Sequence, residues 1–449
     1  MNTFSRYRSS RAIVVALCWL TILFDGYDLT VYGTVVPSLL ADPAWNLTPV
    51  EAGAIGSWAL FGMLVGSLAV GGITDVIGRR RTFLICVIVF STMMGVAAMA
   101  TTPALFGAAR FLAGFGLGGL MPTAMALTVE FARPHRRDIT LVAMFTGFSA
   151  GGVMAALVGM AVIPHLGWRP MLWIGILPLV TVLPLVWWLL PESPTFLAAS
   201  GRAEEARIVA TRYGLPVPDV SAAPARERVP LKALFSTANT RATLAFWLAS
   251  FMGLLLVYGL NTWLPQIMRQ SGFSLGSALS FLMVLNAGAI IGLLLIGAAS
   301  DRFGTKPVAI VAFGCAMIAV VGLSTAPPIA LTYVFVAMAG LGSTGTQTLV
   351  SSMITQYYAP EVRAGALAVT LGVGRTGAMC GPLIGGAILG SSLGVTANFV
   401  VFAIAAVLGA LLVAAVPWHR RHPTPSRATD PRFVEGEGAR ADGAPTAHP

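Results

Sequence analysis

The chain is built from twelve apolar blocks, each close to the roughly 20 residues a helix needs to cross the ~30 Å hydrocarbon core of a bilayer. They run over residues 12–37, 52–74, 82–100, 103–127, 139–163 and 170–190. After a polar stretch they resume over 242–265, 275–299, 307–325, 329–354, 364–389 and 395–416. A soluble domain cannot hide that many unbroken apolar segments. The charge content agrees: 18 acidic and 28 basic side chains make up 10% of 449 residues, against about 25% in an ordinary soluble domain. An all-α membrane protein with twelve transmembrane helices is the fold class these numbers allow.

The spacing divides the chain into a short N-terminal tail (1–11), a first six-helix bundle (12–190), a central loop (191–241), a second six-helix bundle (242–417) and a polar, Pro- and Gly-rich tail (418–449). In the central loop, residues 202–213 predict a short amphipathic helix, followed by a Pro/Ala linker to Pro230. The tail has the composition of a disordered segment. Small residues before the first acid do not form a cleavage site, so the first block reads as a retained span.

Orientation follows from the Lys and Arg residues of the short loops. All but four of the 28 fall on one side of this topology; the exceptions are Arg110 and Arg375 inside spans, and Arg169 and Arg269 opposite. Both termini and the central loop are therefore expected in the cytoplasm. The net charge of +10 is spread thinly between apolar blocks rather than gathered into a nucleic-acid patch. The four cysteines lack any zinc or disulfide spacing, so no metal and no cofactor is called for.

The two halves repeat at an offset of 226 residues. Asp75 falls on Asp301, Gly78 on Gly304, Pro134 on Pro360 and Arg137 on Arg363; Val31-Tyr32-Gly33 falls on Val257-Tyr258-Gly259. Gly114, Gly116 and Gly119 fall on Gly340, Gly342 and Gly345. An even number of spans per half makes the repeat parallel, giving two six-helix bundles related by a pseudo-two-fold axis along the membrane normal, with a site between them. Alternating access follows from that architecture. The literal GxGxxG at Gly372 to Gly377 lies inside an apolar span with no preceding strand and does not signal a dinucleotide.

Charges inside the spans are the most informative residues, because each costs at least ~3 kcal/mol at mid-bilayer and marks a task. Asp25, Asp28, Arg110 and Arg375 all lie roughly 17–24 Å from the basic face at 1.5 Å per residue. Their repeat mates are Phe251, Leu254, Val336 and Ser149, so the deep charges break the symmetry. Asp75, Asp301, Arg137 and Arg363 obey it and sit at helix ends, which suits a gate shared by both bundles.

Asp25 and Asp28 are three residues apart and share a helix face. Two like charges in a poorly solvated cavity resist joint ionisation, so one carboxyl can load a proton on one side and release it on the other. The alternative is that one Asp only neutralises Arg110. The planar fork of Arg375 suits a carboxylate, either on a substrate or on an Asp across the cavity. Tyr27, Tyr32, Tyr258 and Trp263, with Asn261 and Gln347 as hydrogen-bonding neighbours, are the candidate walls of a pocket for a ring-bearing substrate. Aromatics at helical spacing also serve as core or lipid-facing residues.

Gly71-Gly72-Ile73-Thr74-Asp75-Val76-Ile77-Gly78-Arg79-Arg80-Arg81 resembles the loop 2–3 signature of the major facilitator superfamily, and residues 297–306 resemble its repeat copy. Arg110-Phe111-Leu112-Ala113-Gly114 is similar to the superfamily's fourth-helix motif, and Pro191-Glu192-Ser193-Pro194 to the end of helix six in its metabolite:proton symporters. Asp25-Gly26-Tyr27-Asp28, together with Gly374-Arg375-Thr376-Gly377-Ala378 and Gly381-Pro382, resembles the aromatic acid:proton symporters. Val76 replaces the Arg usual after the first-loop Asp, and Thr305-Lys306 weakens the second basic run.

This resemblance implies a major facilitator fold and proton-driven import of aromatic carboxylates of the benzoate, hydroxybenzoate, protocatechuate or gentisate type. Asp25, Asp28 and Arg110 would serve proton coupling and Arg375 the substrate. Glu130 and Asp301 join the gate, with Arg79, Arg302, Arg137, Arg363 and Asp75. It implies a monomeric protein of a bacterial inner membrane, whose partners are the bilayer, a small aromatic acid and protons. A symporter of another organic acid or a sugar, and a proton/drug antiporter, share the scaffold. A membrane-embedded enzyme is a different class, but HExxH, GxSxG and Walker patterns are lacking.

Overall fold

The computed structural model describes residues 11–217, 234–235 and 239–417. The N-terminal tail before Arg11, the linker to Pro230 and the tail from Trp418 lie outside the described residues. Twelve of the described helices are long and apolar enough to cross a membrane. The first half contains α1 (Arg11–Leu40), α2 (Pro49–Ile77), α3 (Arg79–Met99), α4 (Pro103–Phe131), α5 (Arg137–Leu166) and α6 (Arg169–Leu189). Two short helices follow, α7 (Pro194–Ala199) and α8 (Ala203–Tyr213). The second half contains α9 (Thr240–Gln270), α10 (Leu275–Phe303), α11 (Thr305–Ser324), α12 (Ile329–Tyr357), α13 (Pro360–Leu389) and α14 (Val395–Ala415).

The 226-residue repeat survives down to helix ends. Residues 49–77 map onto 275–303 and 103–131 onto 329–357 without an offset, so α2 and α4 share their boundaries with α10 and α12. The local chemistry repeats too. Thr48 caps α2 in a capping box with Glu51, and Ser274 caps α10 by accepting from the backbone N–H of Ser277. Single glycines, Gly78 at φ +96° and Gly304 at φ +87°, join α2 to α3 and α10 to α11; a left-handed φ in a one-residue link is open to glycine at little cost.

Helix pairing within each half is the same: α1 packs on α5 and α2 on α4, as α9 packs on α13 and α10 on α12. Without a hydrophobic driving force between helices in lipid, close backbone approach supplies the attraction. Gly62 and Gly66 of α2 lie against the backbone of Phe111 and Phe115, and their mates Gly288 and Gly292 lie against Ala337 and Leu341. A side chain at these four positions would force the helices apart.

For orientation, the end of the bundle that carries Arg79–Arg81, Arg133–Arg137 and Arg363 is called the basic face, and the other end the far face. The halves meet between mid-membrane and the far face. There α2 packs on α13, α5 on α10 and α1 on α9. Ser57 Oγ donates to the Met379 carbonyl at 2.7 Å, Gly53 and Gly386 are in contact, and Gly33 lies on the backbone of Asn261. Toward the basic face Asp75, Arg137, Asp301, Arg302 and Arg363 are exposed. The halves are thus packed together on the far side of mid-membrane, with these charges exposed at the basic face.

α8 is the amphipathic helix expected at 202–213. It is clamped to the first bundle: Tyr213 is buried with its ring edge-on to Phe131 at 5.2 Å, and Arg11 Nε donates to the Tyr213 carbonyl at 2.7 Å. Arg11 also donates to the Gly214 carbonyl, so a cation caps the negative end of α8.

Candidate functional site

The centre of the molecule is an ion pair sunk in apolar helices. Arg110 on α4 donates from Nη1 to Asp28 Oδ1 at 2.7 Å and from Nη2 to the Asp28 backbone carbonyl at 3.2 Å; both side chains are 1% exposed. The Met94 sulfur lies 3.4 Å from Nη1, and the guanidinium stands 5.7 Å from the Tyr32 ring. Burying two charges is tolerated only when they satisfy each other, which fixes Asp28 and Arg110 as one unit.

Asp25, one helical turn earlier, is different. Its side chain is completely buried, and neither carboxylate oxygen has a hydrogen-bond partner among the described residues. The charges acting on it are those of Asp28 and of Arg375 on α13, across the interface between the halves. Arg375 is partly buried and makes no hydrogen bond or ion pair among the described residues; it acts electrostatically on Asp25 and on the half-buried Tyr258 of α9. The structure thus brings Asp25, Asp28, Arg110, Arg375 and Tyr258 together. One acid and one base are locked to each other, while a second acid and base interact only through their charges, without a bond.

The other pocket candidates divide into two groups. Tyr27 donates to the Met171 carbonyl at 2.8 Å, Tyr32 to the Ala52 carbonyl at 2.5 Å, and Trp263 Nε1 to the Pro382 carbonyl at 2.8 Å. All three are essentially buried, with their polar atoms committed to backbone. Asn261 and Gln347 are partly open. Asn261 accepts at 3.0 Å from Asn286 of α10, and Gln347 Nε2 donates to Ser250 Oγ at 3.0 Å. Asn286 and Ser250 were not among the sequence candidates. Asn286 is 2% exposed, sits under Gly152 where α5 meets α10, and is an uncharged polar residue in the middle of an apolar span. That last property was visible in the sequence.

Of the residues expected to form a gate, Arg79 and Glu130 make an ion pair at 2.7 Å. Around it lies a network absent from the sequence reading. Ser193 Oγ donates to Glu130 at 2.9 Å, and Thr195 also donates to Glu130. Glu192 accepts from the backbone N–H groups of Arg79 and Arg80 at 2.9 and 3.0 Å, which caps the N-terminus of α3 with a carboxylate. Arg302 lies 5.4 Å from the Phe303 ring.

The family model of the Major Facilitator Superfamily matches residues 18–336 and 287–441. A benzoate transport protein of Acinetobacter baylyi is 36% identical over 419 residues, covering 89% of this chain and 88% of its own. A gentisate transporter of Corynebacterium glutamicum is 36% identical over 409 residues, covering 90% and 87%. Among solved structures, a partially occluded, inward-open xylose transporter XylE from E. coli superposes with a TM-score of 0.76 at 18% identity, over 92% of this chain and 99% of that one, and establishes the fold. The chain belongs to the major facilitator superfamily and, within it, to the aromatic acid transporters. It is a multi-pass membrane transporter, not an enzyme.

Proposed function

We propose that the protein imports a small aromatic carboxylate together with protons, by alternating exposure of the site between its halves. The observation that carries this reading is the unbonded carboxylate of Asp25 facing Arg375 beside the closed Asp28–Arg110 pair. With all four ionised the cluster is neutral. An incoming carboxylate must compete with Asp25 for the Arg375 guanidinium. A proton on Asp25 ends that competition, so proton and anion bind more tightly together than apart, and by linkage each strengthens the other. One anion with one proton moves no net charge; each further proton adds ~2.3 kcal/mol per 100 mV of membrane potential.

The names of the relatives support an aromatic acid, and Tyr258 supplies a ring surface beside Arg375. Asn261 and Gln347, held by the buried Asn286 and Ser250, offer hydrogen-bonding groups for ring substituents. The positive-inside bias supports assigning the basic face, and with it both termini, to the cytoplasm of a bacterial inner membrane. On that assignment the contacts between the halves lie on the outer side of the membrane, which supports an inward-facing reading. A monomer suffices, since the site lies within one chain.

The test is uptake of labelled benzoate and 4-hydroxybenzoate into proteoliposomes under an imposed pH gradient, acid outside. Accumulation that collapses when the gradient is dissipated is expected. Efflux driven by the same gradient would replace the reading with an antiporter, and accumulation of a sugar unaffected by benzoate would replace the substrate class.

A further inference from the structure

On the basic face, a groove of about 980 Å³ opens between the first turns of α1 and α5 and the end of α4, away from the Asp25–Arg375 cluster. Its floor is apolar: Val15, Ala16, Trp19, Ala143 and Met144. Its mouth is basic, with Arg11, Arg133, His135 and Arg136, and no acid is among the described lining residues. Arg133, His135 and Arg136 are exposed and enter no ion pair among the described side chains. The same connection, residues 133–138, holds three arginines and a histidine against one acid, Asp138. The positive-inside rule asks only for positive residues somewhere on this side. It does not ask for a slot lined by small and apolar residues beneath them.

We infer that this groove holds an anionic phospholipid, its phosphate between Arg133 and Arg136 and one acyl chain laid along Val15, Ala16 and Trp19. Charge complementarity selects the headgroup, because guanidinium forks match phosphate oxygens and a basic recess between spans at the membrane surface is suited to an anionic lipid. The depth of the slot selects a lipid over a free anion: Ala16 and Ala143 leave room on facing helices where larger residues would close it. Arg11 holds the carbonyl end of α8 and adds its charge at the rim. The lipid would thereby join the starts of α1 and α5 to the α4–α5 connection, stapling the cytoplasm-proximal end of the helix that carries Asp25 and Asp28.

The experiment uses the full chain purified in a neutral detergent and titrated separately with phosphatidylglycerol, phosphatidylcholine and inorganic phosphate. Phosphatidylglycerol is expected to raise the thermal unfolding midpoint by about 1–2 °C more than phosphatidylcholine, as ~1–2 kcal/mol of selective binding does in a chain of 449 residues. Inorganic phosphate is expected to have no effect. In the Arg133→Gln/Arg136→Gln variant the preference for phosphatidylglycerol should vanish. The Ala16→Phe/Ala143→Phe variant keeps every charge but fills the slot, and should lose it too while keeping its midpoint in phosphatidylcholine. A preserved preference in the first variant, a preserved preference in the second, or an equal response to inorganic phosphate would each overturn the inference.

Discussion

Where the first half joins α3 to α4 by the Arg79–Glu130 ion pair, the second half joins α11 to α12 by a neutral hydrogen bond. Thr305 and Gln356 occupy the repeat positions of Arg79 and Glu130, and Gln356 Nε2 donates to Thr305 Oγ1 at 2.9 Å. The next residue repeats as well. Arg80 donates to the Trp187 carbonyl near the end of α6, and Lys306 donates to the Ala414 and Val416 carbonyls at the end of α14. At the Arg79–Glu130 positions the contact is kept while its charge is lost; at Arg80 and Lys306 both are kept. Charge is lost at mid-membrane too, where Asp25, Asp28 and Arg110 repeat as Phe251, Leu254 and Val336. The fold accepts uncharged residues at the repeat positions, so a role for the first half's charges beyond packing can be tested by exchanging them.

That lesson can be broken at Asp28. Asp28→Leu installs the second half's residue and leaves Arg110 buried without its partner, a loss of about 3–5 kcal/mol in stability. Asp28→Leu/Arg110→Val installs both mates and removes the stranded charge. Its thermal midpoint is expected to return close to that of the unmodified protein while transport stays abolished. A double variant as unstable as the single one would show that the pair holds the fold together in its own right.

Asp25 sharpens the contrast because it has no bond to lose. Asp25→Asn is expected to leave the unfolding midpoint nearly unchanged and to abolish accumulation driven by a pH gradient, while exchange of substrate across the membrane continues. Full gradient-driven accumulation by this variant would remove Asp25 from proton coupling. Arg375→Lys keeps the charge and removes the fork; losing one charge-assisted hydrogen bond of ~1.5–3 kcal/mol lowers substrate affinity by roughly 10- to 100-fold. Unchanged affinity in a binding titration would mean that Arg375 serves Asp25 alone.

How much of this was legible before any coordinates follows the strength of the physical signal. The twelve spans and the repeat rest on hydropathy and on helix-end residues such as Gly78 and Gly304, which leave periodic marks. Asp28 and Arg110 stand out because a deep charge is expensive. Which acid closes on Arg110 was not legible: a spacing of three places both on one face, and only the packing of α4 decides for Asp28. Tyr27, Tyr32 and Trp263 read as candidate walls because their rings on the first and seventh spans suit a ring-bearing substrate; that their polar atoms bond backbone carbonyls depends on neighbouring helices. Asn286 and Ser250 were passed over because uncharged polar residues carry a weaker penalty. Glu192 caps α3 from 113 residues away in sequence, a contact no local pattern encodes.

The basic-face latch offers a smaller test. Glu130→Gln leaves Arg79 facing a neutral amide and costs about 1.5–3 kcal/mol at most, since the pair is only partly buried. Adding Arg79→Thr reproduces the Thr305–Gln356 contact of the second half. If charge is dispensable there, the double variant regains stability and keeps transport; if the ion pair works as a gate, stability returns and the transport rate does not.

The weakest effect is expected at a charge pair that has no counterpart among the described residues of the second half. On α8, Arg202 donates to Glu205 from Nε at 2.7 Å and from Nη2 at 2.5 Å, and this hydrogen bonding holds the Glu205 carboxyl below its ordinary range. A carboxyl so depressed adds stability above its unfolded pKa and loses it as pH falls through the lowered folded value. Both side chains are about half exposed, so water and salt screen most of the gain. Glu205→Gln should therefore shift the thermal midpoint barely or not at all at pH 7, and the difference should vanish in acid, once Glu205 itself is protonated. A large shift at neutral pH that disappears in acid would mean that this pair at the start of α8 governs the stability of the helix. The buried Tyr213 ring and the Arg11 cap, which the substitution leaves intact, would then be secondary.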